Sequence, residues 1–245
     1  MDSSAAKSLG ALAKYFSLHS FDVGSEGDQL HGLYALRYQI YCLECRFLSS
    51  FAYPDGLESD EHDARSAHFS ATNAAGEVAG TVRLVLSTND SPFPYAEHCP
   101  PFDDFVPPPS HLTGEVSRLA VNREYRRRSG DSLWGVNKAD LRGPNAPAQM
   151  GPKGEKRVNA PLLVLGLYRQ VYRYSRENGI RYWYAAMEKS LARVLRMYGF
   201  HFTAIGPERD YYGPVTPYLG DLDKLEAELD ASDPDLMWWF RSGPG

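Results

Sequence analysis

The chain has 245 residues, 43% of them hydrophobic and 23% charged, a balance that excludes a disordered, collagen-like or low-complexity protein. Its longest strongly apolar run, residues 161–167, is far below the roughly 20 residues of a bilayer span. Met1-Asp2-Ser3-Ser4 begins no secretory signal, so no membrane span and a cytoplasmic location are expected.

In chain order, residues 1–18 are small and helix-prone without a cap and read as an N-terminal arm or docking helix. Over residues 31–48 the apolar positions Leu33, Leu36, Ile40, Leu43 and Phe47 have the spacing of an amphipathic helix. Arg37, Tyr41 and Glu44 share a neighbouring stripe of it. Beyond the acidic loop 58–63, strands over 67–72 and 77–86 are joined by the turn Asn73-Ala-Ala-Gly76. The segment 87–110 carries seven prolines and reads as a long loop. A strand over 114–121 follows, in which alternation puts Glu115, Ser117, Leu119 and Val121 on one face and Arg118 on the other.

That strand runs into the basic turn Tyr125-Arg-Arg-Arg-Ser-Gly130, and residues 131–159, rich in Gly, Pro, Asn and Lys, read as an inserted loop. A helix is expected after Asn159, with Pro161 in its first turn and Asn178-Gly179 as its stop. Then come a strand over 180–187, a short helix ending at Gly199, a strand over 200–205, a last strand within 211–219, an acidic helix over 221–230, and a tail, Met237-Trp-Trp-Phe240, that must dock. The divisions are an arm (1–18), one domain (19–220) and the acidic helix with its hydrophobic tail (221–245). An early hairpin followed by strand-helix-strand units fits an α/β (α+β) fold with a mixed, largely antiparallel sheet flanked by helices.

The formal net charge of −5 conceals an asymmetry: residues 118–209 hold 18 basic and 7 acidic side chains, the remaining positions 8 and 24. The basic turn, Arg126, Arg127, Arg128, Ser129 and Gly130, next to a helix start, suits a phosphate, because backbone N–H groups and arginines converge there. A pI near 5.8 argues against a nucleic-acid binder. Asp60, His62, Asp63 and His68 lack the spacing of a metal site, so no metal is expected. Cys42 and Cys45 read as buried thiols. The aromatic and basic residues around Tyr168, Arg169, Tyr172, Arg173 and 182–184 read as core with snorkelling arginines, not as an RNA platform.

Several separated pieces, Leu36-Arg37-x-x-x-Tyr41, Asp60-x-x-Asp63, Gly80-Thr-Val-Arg83 and Gly114-Glu115-Val-Ser117-Arg118, resemble the acyl-homoserine-lactone (autoinducer) synthases, relatives of the GNAT superfamily of N-acyltransferases. With Ala67-His68-Phe69, Gly206-Pro207 and Tyr211-Tyr-Gly213, the pattern is similar to the N-acyl amino acid synthases and to the acyltransferases associated with the exosortase/PEP-CTERM sorting system. The resemblance spans roughly residues 30–220 and implies a GNAT-like fold. It also implies transfer of a fatty acyl group from the phosphopantetheine arm of an acyl carrier protein to the amine of an amino acid or similar small molecule, with no permanently bound cofactor.

Carried over residue by residue, it puts Arg37, Tyr41, Asp60, Asp63 and Arg83 at the acceptor, and Glu115, Ser117 and Arg118 at the chemistry. Residues 126–130 fall on the family's coenzyme A loop, Gln/Arg-x-x-Gly-x-Gly/Ala, in degenerate form. In many coenzyme A-dependent members a tyrosine four residues before a Gly-Phe pair protonates the leaving thiolate; here Leu195 stands there.

Aminolysis of a thioester needs the acceptor's ammonium to lose a proton, and Glu115 is the candidate base. A backbone N–H of the strand is the expected oxyanion donor. Arg118 reaches the same site only if the strand carries a bulge. Two other readings stand beside this one: an acyl-coenzyme A-dependent N-acetyltransferase, and a non-catalytic module that binds an acyl group or its carrier.

Overall fold

Turn chemistry closes the first hairpin. The Asn73 carboxamide oxygen accepts from the backbone N–H of Ala75 (2.9 Å) and Glu77 (3.0 Å), and Gly76 takes φ 80°, so β2 (Ser66–Asn73) folds back antiparallel on β3 (Val78–Leu86). The computed structural model describes residues 15–25, 27–88, 91–125 and 160–242. β1 (Phe16–Phe21) pairs antiparallel with β2, and β4 (Thr113–Val121) antiparallel with β3.

On one side of this sheet lies α1 (Asp28–Tyr38), continued by a π-helical turn, Gln39–Glu44. A parallel strand needs a long crossover; α2 (Ala160–Glu177) lies on that path before β5 (Tyr182–Met187), which runs parallel to β4. After α3 (Lys189–Met197) come β6 (Phe202–Ala204), β7 (Arg209–Asp210) and β8 (Pro214–Asp221). β8 lies between β5 and β6, antiparallel to both, and its start pairs with β7. The order is β1-β2-β3-β4-β5-β8-β6, a mixed and mostly antiparallel sheet flanked by helices, as the element order predicts.

The main core lies between the sheet and α2. Leu163, Leu167 and Val171, one turn apart, join Phe69, Val82, Leu84 and Trp183 there. The chain then closes over this core with two capped helices. Asp221 caps α4 (Leu222–Ser232) through the N–H of Asp223 (3.0 Å), and Asp233 caps α5 (Pro234–Arg241) through that of Leu236 (3.0 Å). α5 buries Met237 and Phe240, the latter edge-on to Tyr172 and Phe200, so the hydrophobic tail docks on its own domain. Tyr168, Tyr172 and Trp183 are buried and Arg169 donates to the carbonyl of Trp239 (2.8 Å), as expected of core and snorkelling residues.

Two expectations change. The arm ends earlier than residue 18, because Phe16 buries its ring against Tyr125 and begins β1 on the sheet edge. The helix over 31–48 keeps Leu33, Leu36 and Ile40 in the core, but the π turn inserts extra backbone and rotates the stripe. Tyr41 and Cys42 turn inward, and Leu43 is left 52% exposed. The inserted loop 131–159 and the basic turn residues Arg126, Arg127, Arg128, Ser129 and Gly130 lie outside the described residues. No helix among the described residues is long and apolar enough to cross a membrane.

Candidate active site

The sheet face opposite α2 carries charge where its other face carries core. Cross-strand register sets His68 beside Arg83 and Arg83 beside Ser117, with Val85 beside Glu115, so all of these side chains share one face. Three carboxylates from the loop before β2 meet three arginines here. Arg37 forks onto Asp63 (Nη1–Oδ1 2.8 Å, Nη2–Oδ2 3.0 Å) and donates from Nε to Glu58. Arg83 reaches Asp63 (2.8 Å) and Asp60 (2.5 Å) through Nη1, and the Ser117 hydroxyl (3.2 Å) through Nε. Arg118 bridges Glu58 (3.2 Å) and Asp60 (2.9 Å).

Arg118 arrives on this face by a bulge. Between the pairs Thr81↔Ala120 and Arg83↔Ser117, β4 advances three residues against two on β3, and Arg118 takes φ 51°, a left-handed conformation that costs a non-glycine residue roughly 1–2 kcal/mol. The bulge lets the consecutive residues Ser117 and Arg118 both join the network. Tyr41 braces it: its hydroxyl donates to the Leu119 carbonyl (3.1 Å) and its ring lies under the Arg118 guanidinium at 5.5 Å.

Burial and pairing set the charges. Burial penalises the Asp63 anion, but Arg37 and Arg83 outweigh it and hold the carboxyl well below the usual carboxylate range. Asp60 is lowered against its burial by Arg83 and Arg118. Burial drives His68 down to about 4, so it is neutral at pH 7 although its Nε2 is 3.8 Å from Asp63. The three arginines and three acids balance. Glu115 stands outside that balance: buried, accepting one N–H from Tyr95 (3.0 Å), it is pushed up to about 7 by burial, with the Tyr95 bond and Arg83 offsetting part of the shift. A carboxyl that titrates near neutrality can take a proton and release it.

Glu115 also marks where the sheet opens. The parallel pairing of β4 with β5 covers Thr113↔Tyr182, Gly114↔Trp183 and Glu115↔Tyr184, and beyond that pair β4 continues to Val121 paired, among the described residues, with β3 alone. Over this point the Pro-rich loop folds back. Arg65 holds the start of the loop by donating to the carbonyls of Leu86 (2.9 Å) and Pro92, and Phe102 donates to Ile205 (2.7 Å). Tyr95 thereby stacks on Tyr184 at 5.0 Å while its amide holds Glu115.

Of the residues singled out in the sequence, Arg37, Asp60, Asp63, Arg83, Ser117 and Arg118 form one network, Tyr41 supports it, and Glu115 adjoins it. Sequence reasoning missed Glu58, which is 0% exposed and holds two of the arginines; the signal was its place at the head of the acidic loop, since three buried guanidinium groups demand three carboxylates. Tyr95 carried no signal, because only its backbone amide meets Glu115. Arg83 keeps one buried donor, Nη2, with no hydrogen-bond partner among the described residues. Also among the described residues, no group of three or more His, Cys, Asp or Glu is placed to hold a metal ion.

Residues 36–135 match the acetyltransferase (GNAT) domain family, and the sheet order with its flanking helices is that of a GNAT-like fold. No curated protein matches the sequence. Among solved structures, TofI in a ternary complex with an inhibitor and MTA is 17% identical, with a TM-score of 0.61 over 90% of this chain and 99% of that one. BjaI, a CoA-dependent acyl-homoserine lactone synthase, is 20% identical, with a TM-score of 0.58 over 88% and 89%. The AHL synthase LasI is 16% identical, with a TM-score of 0.55 over 85% and 90%. The shared feature at this level of identity is the fold.

Proposed function

We propose that this N-acyltransferase moves a fatty acyl group from the thioester of an acyl carrier protein to the amine of an amino acid or similar small molecule, in the cytoplasm. The observation that carries this reading is Glu115, a buried carboxyl with its pKa near neutrality, standing at the last cross-strand pair before β4 and β5 part. Glu115 takes a proton from the acceptor's ammonium, and the freed amine attacks the thioester carbonyl. Arg37, its guanidinium held by Glu58 and Asp63, positions the acids. Asp60 and Arg118, at the more open end of the network (20% and 13% exposed), hold the acceptor's ammonium and carboxylate, and the buried Arg83 backs them. Ser117 keeps Arg83 in place.

A cleft of about 640 Å³ adjoins the network at Tyr34, whose ring carries the Arg37 guanidinium at 5.1 Å; Asp28, His31, Tyr53 and Asp55 line its other sides. Such a lining suits a small polar acceptor better than an acyl chain. The charge of residues 118–209 favours an acidic carrier as donor, and the basic segment 126–130 is the proposed phosphate grip. The competing donor is acyl-coenzyme A, since BjaI is CoA-dependent.

The test is mass spectrometry of lipid extracts from a bacterial host expressing the chain, beside a Glu115→Ala control. New N-acyl amino acids that vanish in the control support the reading and identify chain length and acceptor. Faster single-turnover transfer from acyl-coenzyme A than from acylated carrier would reassign the donor. Carrier binding without product from any donor would make the protein a binding module.

A further inference from the structure

Acyl transfer leaves a second proton to account for. As the C–S bond breaks, negative charge appears on sulfur in the same confined place where Glu115 works, and a thiolate that water would solvate is costly there. The sulfur and the attacking nitrogen sit on one carbonyl carbon, so the group that meets the sulfur must lie beside the group that meets the nitrogen. The residue across from Glu115 in the last β4–β5 pair is Tyr184. Register puts both side chains on the same sheet face, and both are buried. Leu195, by contrast, is closed in the main core and has no proton to give.

The Tyr184 ring is fixed on several sides, stacked by Tyr95 at 5.0 Å and approached by Phe93 at 5.5 Å and Phe105 at 6.5 Å. The hydroxyls of Tyr95 and Tyr184 also interact. The Tyr95 amide donates to Glu115 in the same stroke of chain, so one loop residue orients both base and acid. Ser117 competes poorly for this part, since a hydroxyl of much higher pKa already receives the Arg83 Nε–H.

Resting on the acyl-transfer reading above, we infer that Tyr184 is a further catalytic residue, the proton donor to the departing thiol, with Tyr95 as its positioning residue. The step balances as follows. The ammonium gives one proton to Glu115, which passes it to solvent. The C–N bond forms, the C–S bond breaks, and the nitrogen loses its second proton to the ionised Glu115, which releases it to solvent in turn, while the sulfur receives the Tyr184 proton. Tyr184 is reprotonated from the medium. The products are the amide, the thiol and one proton.

The experiment varies the leaving group. Single-turnover acyl transfer is measured for the full chain with a decanoyl thioester of pantetheine and with the decanoyl thioester of 4-nitrothiophenol, whose thiolate needs no proton to leave. Tyr184→Phe is expected to slow the pantetheine thioester about 10- to 100-fold and the aryl thioester less than 3-fold, with KM and thermal midpoint near wild type. Tyr95→Phe, which keeps the backbone bond to Glu115, is expected to show the same selectivity at smaller amplitude. Equal loss on both thioesters, or none on pantetheine, would overturn the assignment. A wild-type chain that acylates no amine from acylated carrier, acyl-coenzyme A or either thioester would instead overturn the function on which it rests.

Discussion

Replacing Glu115 with Gln separates its two consequences, chemistry and stability. Glutamine keeps the oxygen that accepts the Tyr95 N–H and nearly the same volume, but it cannot titrate. In wild type the folded-state pKa, about 7 against an ordinary 4.5, lies above the unfolded value. Folding therefore favours the protonated form, and stability is intact below the unfolded pKa and lost as pH rises through the folded one. Linkage over that gap makes wild type less stable at neutral and alkaline pH than a non-titrating side chain would be, by about 2 kcal/mol at pH 6 and about 3 kcal/mol at pH 8, and by close to nothing at pH 4.

Urea denaturation of wild type and Glu115→Gln between pH 4 and pH 8 reads this difference directly, and the variant should gain on wild type as pH rises. Activity should move the other way. The proposed base must be ionised, so wild-type turnover is expected to climb through pH 7, whereas the variant is expected to lose about 100-fold or more in single-turnover rate. A stability difference that stays flat with pH, or a variant that keeps its acyl-transfer rate, would refute the argument at the step concerned.

Asp63→Asn removes the anion that holds two buried guanidinium groups and should cost about 3–5 kcal/mol in chemical denaturation. Because the Asp63 pKa is depressed, its contribution is present above the ordinary carboxylate pKa and fades as pH falls, so the gap to wild type should narrow in acid. Gly206→Ala places a Cβ 2.5 Å from the Pro100 carbonyl and 2.8 Å from Pro217; backbone must shift, and faster hydrogen exchange at the Tyr95 amide should report a loosened Pro-rich loop, together with a loss of about 1–3 kcal/mol. Phe240→Ala should cost about 3–5 kcal/mol, while Trp238→Ala, in the same helix but 70% exposed, should stay within about 0.5 kcal/mol. Equal thermal shifts for the two would contradict the docking of α5.

Much of this architecture was legible from local chemistry. Period-two alternation located β3 and β4, Asn73 and Gly76 marked the turn from β2, and Asn159, Pro161 and Asn178-Gly179 marked the bounds of α2, because these signals act within a few residues of chain. The association of Arg37, Asp60, Asp63, Arg83 and Glu115 was legible only through resemblance, since no local rule links residues so far apart. Other features were settled by tertiary structure alone. β1 reads as a helix-prone arm until the open edge of β2 offers it a partner. The π turn puts Tyr41 rather than Leu43 inside, a choice of helical phase that propensity does not encode. The bulge at Arg118 exists because Glu58 and Asp60 hold a side chain that strict alternation would send to the other face. Glu115 owes its raised pKa to burial beneath a loop that meets it with a backbone amide, and the order in which β8 slips between β5 and β6 follows from covering one core. The sequence determines which residues can pair, bend or titrate; long-range packing, which sets distance, burial and dielectric, decides which of them do.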